Sequence, residues 1–109
     1  MITWDDFEKI DIRTGTITAV QHFPKAKKPA YQLTIDFGPL GIKKSSAQIT
    51  HHYSKEDLLN KQVVAVVNFP VKQIGIFFSE CLVLGIYDEN NDVILLQPGK
   101  PVTNGQKIG

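Results

Sequence analysis

The apolar residues of this sequence fall into short runs with the spacing of β-strands, and this pattern constrains the fold more than any other feature. Tyr31, Leu33, Ile35 and Phe37 alternate with polar residues, which predicts a strand with one buried face. Residues 63–67, 81–84 and 93–96 are instead apolar at consecutive positions. We interpret these three runs as strands with both faces buried, and all of them are far shorter than a membrane span.

The remaining strands are predicted from β-branched residues and turn signals. Residues 12–23 are rich in Thr, Ile and Val, and predict a long strand that bends or bulges at Gly15. After a glycine- and proline-containing turn at 38–41, residues 42–49 return as a more polar strand. Asn90, Asn91 and Asp92 predict a hairpin turn between the last two apolar runs.

Two capping boxes predict short helices. Thr3 is followed three residues later by Asp6, and Ser54 by Asp57, so each hydroxyl can cap a helix whose third residue returns the hydrogen bond. The second helix falls between the third and fourth strands. This layout predicts an all-β, OB-fold five-stranded Greek-key barrel with a short N-terminal helix and a short helix between strands 3 and 4. A small open sandwich fits the same strand count, whereas an SH3-like barrel fits less well because it lacks the inserted helix.

Length and composition narrow the class further. A chain of 109 residues predicts one domain, residues 1–109, and its 8 Gly, 6 Pro and single Cys exclude collagen-like and disulfide-scaffold proteins. Cys81 is expected to be a buried, unreactive thiol in the reducing cytoplasm. The first six residues include Asp5 and Asp6 and lack the basic-then-apolar pattern of a signal peptide.

The non-alternating strands carry a prediction about assembly. A small closed barrel buries one face of each strand, so strands that are apolar on both faces need a cover on the outside. We therefore expect a homodimer whose interface uses the C-terminal half of the chain and buries about 1,600 Å² or more.

Charge is distributed unevenly along a chain whose net charge is only +1. Residues 13–55 hold seven basic residues against Asp36 alone, while the segments on either side are acidic. The prolines at 24 and 29 bracket a basic loop with Lys25, Lys27 and Lys28. The middle third could form a basic face for a nucleic acid, or its lysines could simply keep loops solvated.

Residues that could carry catalysis are few and poorly spaced. Neighbouring residues on a strand point to opposite faces, so His51 and His52 are not expected to share a metal ion. Residues 38–41 lack the lysine, hydroxyl residue and following helix of a phosphate-binding loop. We therefore expect no enzymatic activity, no metal and no cofactor.

Binding is better supported than catalysis. The candidate residues lie on the more polar strand and in the 68–80 loop, and comprise Lys43, Lys44, Ser45, Ser46, Gln48, Asn68, Phe69, Lys72, Phe77, Phe78, Ser79 and Glu80. Basic groups mixed with aromatic rings suit single-stranded or looped RNA. Apolar rings beside strand edges equally suit an extended polypeptide. Since neighbouring residues on a strand cannot both face inward, Phe77 or Phe78 should be exposed or at an interface.

Several motifs occur in one order across nearly the whole chain: Asp11-Ile12-Arg13-Thr14-Gly15, Ser45-Ser46-Ala47-Gln48-Ile49, Asn68-Phe69-Pro70, Gly75-x-x-x-Ser79-Glu80 and Leu95-Leu96-Gln97-Pro98. Together they resemble the tRNA-binding-domain family, an OB-fold module found alone or appended to aminoacyl-tRNA synthetases. Residues 42–50 and 64–70 are especially similar to free-standing bacterial members described as secretion-associated chaperones.

This resemblance implies a function that the residues alone leave open. It implies a homodimer that binds unfolded or precursor polypeptides, with the protein-export machinery as partner and tRNA as the alternative ligand. The sequence shows no nucleotide-binding motif, so we expect binding without ATP. Family members that bind tRNA tend to have Ser-x-Gly-Met where this sequence has Ser79-Glu80-Cys81-Leu82. The missing glycine removes a close approach of backbone to ligand, while leucine keeps the apolar character of methionine.

Overall fold

The computed structural model describes residues 1–24 and 26–109 and contains nine short strands and two short α-helices within them. In chain order the elements are α1 (Trp4–Glu8), β1 (Ile12–His22), β2 (Tyr31–Asp36), a 3₁₀ turn (Gly38–Leu40), β3 (Ile42–Ala47), α2 (Lys55–Leu58), β4 (Gln62–Val66), β5 (Lys72–Ile74), β6 (Phe77–Ser79), β7 (Leu82–Val83), β8 (Gly85–Tyr87) and β9 (Val93–Leu95).

Five of the strands form one antiparallel sheet in the order β3-β2-β1-β4-β7. The sheet curls into a nearly closed barrel, and the two remaining pairs, β5–β6 and β8–β9, are hairpins at its side. The helix α2 lies between β3 and β4 in the chain, as the sequence predicted. The OB-fold prediction is therefore confirmed.

Both predicted capping boxes are present. The Thr3 hydroxyl accepts the N–H of Asp6 at 3.2 Å, and the Asp6 carboxylate accepts the N–H of Thr3 at 3.0 Å. Ser54 and Asp57 make the same reciprocal pair at 3.2 and 2.9 Å. Each helix is shorter than two turns, so these caps satisfy a large share of its free N–H groups.

The barrel core is built from alternating residues of the inner strands. Tyr31, Leu33, Ile35 and Phe37 are all buried, and the residues between them are only partly covered. Leu58 of α2 is completely buried and belongs to the same core cluster. A single side chain thus fixes the short helix to the barrel.

The predicted bulge in β1 lies at a different place. Gly15 pairs in regular register with Val63, and the irregularity in the pairing with β2 falls between Ile17 and Ala19. Gly15 is required for packing instead, because a Cβ there would lie 2.7 Å from Ile35 Cγ2 and 2.8 Å from the Phe37 ring. The prediction of a bend at Gly15 was wrong, since the glycine marks a close approach rather than a bulge.

The C-terminal segment pairs with the start of β1, which the sequence did not predict. Thr14 N–H bonds to the Gln106 carbonyl at 3.0 Å, Gly105 N–H to the Thr14 carbonyl at 2.8 Å, and Ile108 N–H to the Ile12 carbonyl at 2.9 Å. The side chain of Arg13 adds a bond to the Gly105 carbonyl at 2.9 Å. The first strand therefore has partners along both of its edges.

The apolar strands differ in how much of their outer faces this chain covers. Residues 63–66 of β4 are all buried, so β4 needs no further cover. In contrast, Leu82, Ile86 and Ile94 on β7, β8 and β9 are 46–60% exposed. The expected need for an outer cover therefore applies to β7–β9 and not to β4.

No helix among the described residues has the length and apolar character that a membrane crossing requires.

Candidate ligand groove

A groove of about 680 Å³ lies at the end of β3, beside several of the predicted binding residues. Three segments line it, and we call residues 46–49 its floor, Phe69, Pro70, Lys72 and Ile74 its first wall, and residues 82–85 its second wall. Most of its lining is apolar, with a few polar groups. Such a groove suits an elongated, partly apolar ligand.

Five of the twelve predicted site residues line this groove: Ser46, Gln48, Phe69, Lys72 and Ser79. Phe69 is 54% exposed, although a large aromatic side chain in a barrel of this size is normally buried. Its ring is therefore available for contact with a ligand. Seven predicted residues, namely Lys43, Lys44, Ser45, Asn68, Phe77, Phe78 and Glu80, do not line the groove.

Beside the groove, β3 is joined to the chain before β7 by a seam that relies on side chains. Glu80 N–H bonds to the Lys44 carbonyl at 2.7 Å, and the Glu80 carboxylate accepts the N–H of Lys44 at 3.0 Å. The Ser79 hydroxyl accepts the N–H of Ser46 at 3.2 Å. Glu80 and Ser79 thus complete hydrogen bonds of the barrel at this seam.

Ser45 is directed into the barrel and not toward the groove. Its side chain is 1% exposed, and its hydroxyl donates to the Cys81 carbonyl at 3.0 Å. Burial raises the pKa of the neighbouring Cys81 thiol to about 11, so the thiol is protonated at neutral pH. This agrees with the expected buried, unreactive cysteine.

Asn68 holds the N-terminal helix against the barrel. Its side-chain oxygen accepts the N–H of Asp11 at 2.9 Å, and its amide nitrogen donates to the Lys9 carbonyl at 2.7 Å. Both ends of the amide are therefore occupied within the chain, which limits its capacity to bind a ligand directly.

The two neighbouring phenylalanines point to opposite sides of β6, as predicted. Phe77 is buried and its ring lies 5.2 Å from that of Phe23, in a small cluster with Ala30 under the basic loop. Phe78 is 51% exposed. The hairpin is thus anchored through Phe77, and Phe78 remains free outside the groove.

Several lysines surround these features without acid partners. Lys27, Lys28, Lys44 and Lys72 are exposed and Lys43 is partly buried, and none of them takes part in an ion pair with another described residue. Lys25 lies outside the described residues. Unpaired ammonium groups favour contact with negatively charged ligands.

The histidine pair lies in a turn, so the reasoning that placed its rings on opposite strand faces was wrong. The two rings are 4.8 Å apart, and His52 Nε2 lies 2.7 Å from Asp88 Oδ2 while His51 Nε2 lies 3.6 Å from Asp92 Oδ2. The hydrogen bond with His52 is the main cause that lowers the pKa of Asp88, with further bonds from the N–H groups of Asp92 and Asn90. Residues 1–24 and 26–109 hold no group of three or more His, Cys, Asp or Glu arranged to bind a metal.

Sequence reasoning missed the second wall of the groove. Leu82, Val83 and Leu84 line it together with Tyr87. Their apolar run was assigned only to an assembly interface, because a linear pattern does not show which part of an outer strand face borders a cavity. The available signal was the departure from alternation itself.

Known proteins resemble this chain over its full length. Residues 12–107 match the family described as "Putative tRNA binding domain". The crystal structure of chaperone CsaA from Bacillus anthracis str. Ames is 52% identical, with a TM-score of 0.95 over 100% of this chain and 99% of that one. The CsaA chaperone protein from Picrophilus torridus is 54% identical, with a TM-score of 0.93 over 100% of both chains.

A methionine–tRNA ligase of Bacteroides fragilis is 34% identical over 107 residues, which are 98% of this chain. This chain spans only 16% of the length of that relative.

Proposed function

This chain belongs to the tRNA-binding-domain family and to its CsaA members, and from that premise we propose that it is a non-enzymatic, ATP-independent chaperone. In this proposal it binds extended apolar segments of unfolded or precursor polypeptides as a homodimer. The proteins of the CsaA type that it resembles are described as chaperones.

The groove at the end of β3 is the observation that carries the proposal. The groove has a volume of about 680 Å³ and a mostly apolar lining. Phe69, which is part of this lining, is about half exposed. Burial of apolar side chains is non-directional, so such a surface can accept many sequences. Among the predicted residues, we assign direct contact to Ser46, Gln48, Phe69, Lys72 and Ser79, and a supporting role to the rest.

The homodimer is proposed from the exposed apolar residues of the C-terminal strands. Leu82, Ile86 and Ile94 are 46–60% exposed; Ile86 and Ile94 are directly paired between β8 and β9, and Leu82 lies on β7 shortly before them in the chain. A second copy placed over β7–β9 would cover them, and about 1,600 Å² of buried surface is typical of a stable interface. Leu82 and Tyr87 also line the groove, so the interface would border the binding site.

A dimer would hold two grooves, and two sites raise the avidity for a long unfolded chain without any new contact. The protein-export machinery is the proposed partner and the cytoplasm the proposed location, both on the strength of the CsaA resemblance.

Binding of tRNA is the second candidate function. It is favoured by the matched family and by the unpaired lysines, which include Lys43, Lys44 and Lys72. Lys72 lines the groove, so a nucleic acid bound at this lysine would compete with a polypeptide. The Cys81-Leu82 pair, in place of the Gly-Met of tRNA-binding members, counts against this candidate.

Salt dependence distinguishes the two functions. Contact of four lysines (Lys25, Lys43, Lys44 and Lys72) with phosphates would give a log–log slope of the binding constant against salt of roughly −3 to −4. Binding driven by apolar burial should change little over the same range. We would titrate a thermally unfolding client protein and tRNA, separately and in competition, at 50 and 200 mM salt.

Suppression of client aggregation that is unaffected by salt supports the chaperone. Tight, steeply salt-dependent binding of tRNA with no effect on aggregation would reverse the order of the two functions. A sedimentation mass near that of one chain at micromolar concentration would contradict the dimer.

A further inference from the structure

The groove contains a strand end whose main chain has no partner. Pairing of β3 with β2 ends at Ala47, opposite Tyr31. On the other edge of β3, Lys44 and Ser46 direct their N–H groups to Glu80 and Ser79, and the bond to Ser79 is the last one of the seam.

Gln48 is the next residue along this edge. In an antiparallel ladder, every second residue turns its N–H and C=O away from the neighbouring strand. Lys44 and Ser46 turn away from β2 in this way, and the same alternation extended by one residue would turn the N–H and C=O of Gln48 to this edge. The main chain of Gln48 takes part in no hydrogen bond with another residue that the structure describes.

Gln48 directly follows the last residue of β3 and is itself exposed, so its main-chain groups are open to a ligand. Gln48 lines the groove next to Ile49, whose side chain is 4% exposed. Val83 of β7 lines the same groove. The N–H and C=O of Gln48 and the neighbouring apolar side chains can therefore all be covered by one extended ligand.

We propose that an extended polypeptide segment binds in this groove as an added β-strand along the edge at Gln48. Its main chain exchanges hydrogen bonds with the N–H and C=O of Gln48, and every second side chain packs against the apolar wall. This binding mode rests on the chaperone function proposed above. It would let one site bind unfolded chains of different sequence. The main chain is the same in every client, so recognition does not depend on sequence.

The paired donor and acceptor favour a polypeptide over a nucleic acid. A phosphate can accept the N–H of Gln48 but carries no donor for the carbonyl, so an RNA strand would have to donate from a 2′-hydroxyl or a base. A peptide main chain offers both groups on one edge at alternate residues. An RNA strand is therefore the competing outcome of the test.

The test uses the intact protein and a fluorescent ten-residue peptide of alternating Leu and Ser. A second peptide has the same side chains, but esters replace three central amides, which removes N–H donors without adding bulk. We expect the ester peptide to bind about tenfold more weakly, because its hydrogen bond to the Gln48 carbonyl is lost and the one that it accepts from the Gln48 N–H is weakened. Amide hydrogen exchange measured by NMR locates the contact: exchange at Gln48 should slow at least tenfold when the amide peptide is bound, and exchange outside the groove should not.

The outcomes separate the binding mode from the function. Equal affinity of the two peptides, or unchanged exchange at Gln48 with peptide bound, overturns strand addition and leaves the chaperone function standing. Failure of both peptides to bind contradicts the chaperone function itself. Protection of Gln48 by an oligoribonucleotide but not by the amide peptide would assign this edge to RNA.

Discussion

Replacement of Phe69 by serine tests whether the groove binds apolar client segments. The Phe69 side chain is 54% exposed in the free chain, and a bound segment would cover that exposed half. Complete burial of a phenylalanine side chain is worth about 1.5–3 kcal/mol, so the exposed half corresponds to about 1–1.5 kcal/mol. Phe69→Ser should therefore weaken binding of the Leu-Ser peptide about five- to tenfold.

Fluorescence anisotropy of the labelled peptide measures this loss directly. Urea unfolding of the same variant shows whether the fold is retained, since Phe69 belongs to no core cluster among the described residues. Leu59→Ser is the matched control, because Leu59 is 47% exposed and does not line the groove.

Leu59→Ser should leave peptide affinity unchanged within about twofold. Equal losses from both variants would mean that the effect is a general one on the protein. No loss from Phe69→Ser would refute the reasoning that the groove is the client site. Phe78→Ser then tells whether the outer face of the β5–β6 hairpin contributes, since Phe78 is equally exposed but lies outside the groove.

Three further predictions concern the fold and the assembly. Gly15→Ala should destabilise the protein by about 1–3 kcal/mol in urea unfolding, because its Cβ would lie 2.7 Å from Ile35, and full stability would show that the barrel relaxes freely. Asp88→Asn should lower the melting temperature at neutral pH. The hydrogen bond with His52 lowers the folded-state pKa of Asp88, so the ionised carboxylate stabilises the folded protein above about pH 4. This stabilisation is lost as the pH falls through the lowered pKa, and the difference between the two proteins should shrink with it. A deficit that stays constant down to pH 2 would contradict this linkage. Ile86→Lys, at a residue 60% exposed on β8, should convert the proposed dimer into a monomer in sedimentation without unfolding it.

Local signals in the sequence were sufficient for much of the fold. The capping boxes at Thr3 and Ser54 depend on residues three apart, and both formed as predicted. The alternation of residues 31–37 placed the buried face of β2 correctly. The same reasoning predicted that Phe77 and Phe78 would differ in exposure, because a strand has only two faces.

Contacts between distant residues were not predictable in this way. Glycine is compatible with both a bulge and a close approach, and only the position of Phe37 against Gly15 decides between them. Ser45 and Glu80 are polar residues on a predicted ligand face, yet their partners lie 36 residues away along the chain and take them into the seam. Pairing of Thr14 with Gln106 spans almost the whole sequence and has no local signature.

The seam between β3 and residues 79–80 has a consequence for how this barrel can vary. A hydrogen bond between two main chains does not depend on which side chains are present. The bonds made by the Glu80 carboxylate and the Ser79 hydroxyl do, so a substitution at either position can remove them. Shortening either side chain would remove its hydrogen bond to β3 without changing the order of the strands. Ser79 also lines the neighbouring groove. Single substitutions at Ser79 or Glu80 would therefore change the width of the groove that is open to a bound polypeptide.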